Sequence, residues 1–167
     1  MVHPLVDQLR FTRDEFRRGL AGMAEEDAQA HLGSSNCISW SVGHLAWQEQ
    51  RYFVTFGQGE TILPQLPSRF GYGSPPSTPT LAEAWAIWER VTLATDRWLE
   101  TLTADDLRIL APHDGRKDAP LAGSLLRTTY HYWFHNGENA ALRQQLGHTS
   151  LPTFVGELDG KASYRPA

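Results

Sequence analysis

The chain has 167 residues, 41% hydrophobic and 20% charged, with 15 Lys and Arg against 19 Asp and Glu. The apolar share and six tryptophans exclude a disordered chain, and a net charge of −4 excludes the dense basic surface that phosphate neutralisation demands. The single cysteine, Cys37, excludes an internal disulfide. No apolar run approaches the ~20 residues of a membrane span, and residues 1–10 lack the basic-then-apolar order of a signal peptide. A soluble, cytoplasmic, single-domain protein is expected. Its domain covers residues 1–150, and a tail, 151–167, packs on that domain or trails from it.

Four stretches carry helical periodicity and none carries a sustained strand alternation. The first runs from Pro4, suited to a first helical position, to Met23. Leu5, Leu9, Thr12, Phe16, Leu20 and Met23 recur three or four apart, while Arg13, Asp14, Arg17 and Arg18 take the other side. With Arg10, these arginines read as a solvated helix face. The second stretch runs from Ile38 to Phe56 and has two apolar stripes, Ile38, Val42, Leu45, Tyr52, Phe56 and Trp40, Trp47, Val54. Such a helix lies centrally in a bundle or contacts a second subunit.

The third begins at Thr80, where Thr80-Leu-Ala-Glu83 has capping-box spacing, and its apolar face continues to Leu102. The fourth runs from Pro120 to Leu146, with Gly147 placed to cap it. A Gly- and Pro-rich loop at 58–79, a polar loop at 111–119 and the tail complete the chain. Residues Ala24–Asp27 and Thr103–Asp106 echo one another, each preceding a helix that carries an inward histidine. Four long helices predict an all-α four-helix bundle.

The fourth helix holds the chemical anomaly. Its core stripe reads Leu121, Leu125, Thr128, Tyr132, His135, Asn139, Leu142, Leu146, with His131 and Glu138 on the flank. Buried polar groups cost several kcal/mol unless satisfied, so a polar mid-level flanked by leucines needs a common partner. His131 and His135, four apart, stack on one helix face and suit a shared metal ion. A third donor, His44, sits on the second helix among Ser41, Trp47, Gln48 and Arg51. Three histidines would leave coordination positions open for water or substrate. Packed histidines bonded to backbone or water are the other reading of the same residues. His3, His31, His113 and His148, near termini or loops, read as surface residues, and Cys37 as a buried inert thiol.

The run Asn36-Cys-Ile-Ser-Trp40-Ser-Val-Gly-His44-Leu-Ala-Trp47 resembles the second-helix motif of the DinB/YfiT-like superfamily of four-helix metalloproteins. His131-Tyr-Trp-Phe-His135-Asn-Gly-Glu138 resembles its fourth-helix motif, His-x-x-x-His-x-Gly-(Gln or Glu), and the likeness spans residues 4–147. The resemblance implies metal ligands at His44, His131 and His135, a divalent ion such as zinc or nickel, and a homodimer. It also implies a small-molecule substrate and, in some branches, transfer chemistry on a low-molecular-weight thiol, bacillithiol or mycothiol.

Beside these, Glu138 is the candidate to fix a ligand ring or move a proton, with Asn139 next. Arg127, one turn before His131, either pairs on the surface, the favoured reading, or meets a substrate carboxylate. A metal-dependent transferase or hydrolase is therefore the leading expectation. The competing one is a non-catalytic, metal-stabilised bundle that binds or dimerises, prompted by the doubly apolar second helix. Neither reading involves nucleic acid or a membrane.

Overall fold

The computed structural model describes residues 2–109 and 120–165. The fold is all-helical, a helical bundle as the periodicity predicts. The helices are α1 (Pro4–Gly19), α2 (Glu25–Gln29), α3 (Ile38–Glu49), α4 (Leu66–Phe70), α5 (Leu81–Leu99), α6 (Leu121–Gln145) and α7 (Leu158–Lys161). A π-helical segment, Gln50–Phe56, continues α3, and a 3-10 turn spans Asp106–Arg108. The expected loop at 111–119 lies outside the described residues. Among the described residues, no helix is long and apolar enough to cross a membrane. The chain divides into two compact units, one formed by residues 1–21 with 98–167 and the other by residues 22–97.

In the first unit α1 lies along α6. Phe16 meets Tyr132 edge to face, with centroids 5.3 Å apart, an arrangement that aromatic quadrupoles favour. His3 is no plain surface residue: its Nδ1 accepts from the Leu5 N–H at 3.2 Å and caps α1. The helix stops at Gly19, short of Met23, where Arg143 donates to the Gly19 carbonyl. The basic cluster is only in part a solvated face: Arg17 is exposed, but Arg13 is only 4% exposed. Arg10 pairs with Glu100 at 2.8 Å. At the far end of α6, Gly147 has a positive φ of 87°. Its N–H reaches Gln144 O at 3.0 Å and that of His148 reaches Arg143 O at 3.0 Å. This is the Schellman closure that glycine permits.

The tail returns onto α1. Glu15, almost fully buried, accepts from Arg18 Nε at 2.9 Å and from the Gly156 N–H at 2.8 Å. Arg18 also donates to the Thr153 carbonyl at 2.8 Å. Gln8 donates to the carbonyl of buried Ala162 at 2.6 Å.

In the second unit α3 is buried on nearly every side. The 58–79 connection is more ordered than its composition suggests, since it holds α4, whose Leu66 and Phe70 are fully buried. Gly43 is required there, because a Cβ would stand 2.5 Å from the Phe70 ring. Gln50 binds the Leu63 backbone twice, donating to its carbonyl at 2.9 Å and accepting from its N–H at 2.8 Å. Thr80 Oγ1 accepts from the Glu83 N–H at 3.1 Å, which is half of the expected capping box. The Glu83 carboxylate turns instead to Arg69 at 2.7 Å, and Glu25 accepts from the Leu81 N–H at 2.7 Å.

Two outcomes follow from this packing. Gly43→Ala should cost about 1–3 kcal/mol by overpacking against Phe70, lowering Tm by roughly 3–10 °C in a thermal melt. An unchanged Tm would show that Phe70 yields freely. The Glu15 carboxyl is held below its ordinary value chiefly by the Arg18 hydrogen bond, with the Gly156 N–H assisting. Its anchoring is therefore complete above the ordinary carboxylate range and is lost as pH falls through the lowered value. Glu15→Gln should remove on the order of 1 kcal/mol of local protection at neutral pH. Amide hydrogen exchange at 151–157 would read this as faster opening.

Candidate metal centre

The two units each present histidine nitrogens whose partners fix their chemistry. On α6, His131 and His135 lie one turn apart, and their Nε2 atoms are 3.1 Å from one another. Glu138 Oε2 lies 2.8 Å from His135 Nδ1. A carboxylate only accepts, so His135 Nδ1 carries the proton and, in the neutral ring, Nε2 is left with its lone pair. Two bare nitrogens 3.1 Å apart would repel, so a proton on His131 Nε2 or a cation between them must relieve it. That span also suits two nitrogens bonded to one ion at about 2.0–2.1 Å each.

On α3, His44 is 5% exposed and its Nδ1 lies 2.6 Å from the Phe70 carbonyl oxygen. The carbonyl accepts, so Nδ1–H donates and the neutral ring again keeps its lone pair on Nε2. Trp40 and Trp47 stack on the His44 ring at centroid distances of 4.4 and 5.2 Å. Two indoles and one hydrogen bond leave this imidazole little freedom of rotation. The Trp40 indole N–H is buried with no hydrogen-bond partner among the described residues. Phe70, through its carbonyl, is the contributor that sequence reasoning missed.

The other candidates are placed as follows. Asn139 is buried on the α6 stripe, and Arg127 is exposed. Arg51 lies over the Trp47 and Phe56 rings, 5.5 and 5.7 Å from their centroids, and Gln48 is buried. Cys37 is buried, with Sγ 3.3 Å from Ser39 Oγ. His31 bonds Thr78 at 2.8 Å, His148 accepts from Arg143 Nε at 3.1 Å, and His113 lies outside the described residues. Nitrogen-15 spectra of metal-free protein should show the Nδ1–H tautomer for His44 and His135. Glu138→Ala should mix the tautomers of His135 alone, and an Nε2–H form of His135 in the wild type would contradict this hydrogen bonding.

No curated protein matches the chain. The sequence does match a protein-family model, described as mycothiol-S-transferase, over residues 4–147, nearly the whole described helical region. The chain therefore belongs to the mycothiol S-transferase family, a DinB/YfiT-like family of metal-dependent proteins.

Proposed function

We propose that the chain is a metal-dependent thiol S-transferase in which His44, His131 and His135 together hold one divalent ion. The observation that carries this reading is the tautomer pattern. His135 and His44 each commit Nδ1 to a fixed acceptor and so keep Nε2 for a metal. The likeness of the α3 and α6 motifs to those of DinB/YfiT-like metalloproteins supports the same three ligands. Zinc or nickel fits an all-imidazole donor set. When bound, such an ion supplies the positive charge that ionises a thiol near neutral pH.

The chain's own residues do the rest. Glu138 fixes the His135 ring through its Nδ1–H, which holds the Nε2 lone pair in place, and its carboxylate is a candidate to take up a proton. The Phe70 carbonyl does the same for His44, between Trp40 and Trp47. Aromatic walls of this kind exclude water from a reacting thiolate. Arg127, exposed one turn before His131, is the candidate to meet a carboxylate on an incoming small molecule. Family membership supports mycothiol as the thiol and transfer rather than hydrolysis as the reaction. The absence of any membrane-length apolar helix among the described residues agrees with a cytoplasmic enzyme. Leu126, Tyr130 and Phe134, exposed four apart along α6, support a homodimer.

Mass spectrometry of the native protein should find one ion per chain, with the ion lost from both His44→Ala and His135→Ala. Glu138→Ala should weaken metal affinity about 10–100-fold. Conjugation of mycothiol to an alkyl halide should fall with metal content across the same variants. Full metal occupancy in His135→Ala, or turnover in metal-free protein, would overturn the reading.

A further inference from the structure

Within the first unit a cavity of about 240 Å³ opens between α1, α6 and the returning segment 151–155. Trp133, Ala140, Leu151 and Phe154 give it a largely apolar lining, which includes neither His131 nor His135. Its volume exceeds the ~150 Å³ of an apolar cavity known to take up benzene.

Three features mark it as shaped for an occupant. Gly137 stands in the interior of α6, where glycine is less favourable than alanine, yet a Cβ there would meet nothing within 4 Å. Gly137 is exposed, so this open space is the solvent-facing edge of the cavity, where a larger side chain would stand over the opening. The side chain of Asn136, half-buried in the lining, makes no hydrogen bond among the described residues. A donor and an acceptor are thus available to a guest. Phe154 is 86% exposed while its ring lies 5.8 Å from Trp133. The next residue, Val155, has a φ of 42°, a region costly for a β-branched side chain. Backbone strain therefore sits beside an aromatic ring held out at the rim.

We propose that this cavity is a binding site for a small aromatic molecule of about two fused rings bearing one hydrogen-bonding group. The rings lie against Trp133 and Phe154, and the polar group meets the Asn136 amide. The site is independent of the metal reading and stands or falls without it.

Titration of the full chain with 2-naphthol, followed by fluorescence anisotropy, tests the site. Saturable binding is expected in the wild type. Gly137→Leu should stand over the opening and weaken binding roughly tenfold or more. That substitution raises helix propensity, so circular dichroism should confirm an intact fold. Asn136→Leu should abolish the preference for 2-naphthol over naphthalene while still binding both. His135→Ala should bind the probe as the wild type does, which separates this site from the proposed metal centre. Three results would overturn the proposal: no saturable binding up to ~1 mM, unchanged affinity in folded Gly137→Leu, or loss of binding in His135→Ala.

Discussion

A histidine becomes a reliable donor through one ring nitrogen only when the other is committed. That commitment organises both halves of this molecule. His135 gives its Nδ1–H to Glu138, one turn further along the same helix. His44 gives its own to the carbonyl of Phe70, a residue delivered by a different helix. The second case places demands on much of its unit. Phe70 can lie there only because Gly43 has no side chain. Its helix is held near α3 in part by the double hydrogen bond from Gln50 to Leu63. Packing and tautomer are thus one problem in this region, solved by the same ring and backbone.

The polar level of α6 fits the same logic from the opposite direction. Thr128 returns its hydroxyl to the Ser124 carbonyl at 2.9 Å, so its burial is satisfied within the helix. The two histidines cannot be satisfied that way, because a neutral ring exposes one donor and one acceptor on opposite edges. One edge of His135 is answered by Glu138, and the other faces His131. Burying that second edge among leucines would cost several kcal/mol if nothing answered it.

How much of this was legible in the sequence depended on how local each interaction is. The α6 stripe, the Thr80 cap and the Gly147 stop all depend on neighbours three to five residues away, and periodicity found them. Glu138 was legible for the same reason. Phe70 was not, since its role depends on a contact across 26 residues and on a carbonyl that every residue possesses. Arg13 misled because a charge pattern reports composition, while burial depends on what packs over the helix. The tail anchors at Glu15 and Arg18 were hidden similarly, as an i, i+3 ion pair looks the same on a bare surface. The doubled apolar pattern of the second helix was visible, but its cause was not. Tyr52, Phe53 and Val54 are all buried in succession, and they fall in the π-helical segment.

That segment carries a consequence for how the chain can vary in length. A π turn is an α-helix that has absorbed one surplus residue. Each residue of an α-helix turns the chain by about 100°. Losing one position between 50 and 56 would restore regular α geometry and turn everything on one side of the deletion by that angle. The Gln50 amide would then leave Leu63, or the face bearing His44 would rotate away from Phe70. Point substitutions are tolerated by degrees, but a frame-preserving deletion of one codon here would be an all-or-none event. The spacing between His44 and the loop that follows it is thus fixed by rotation, more strictly than by length.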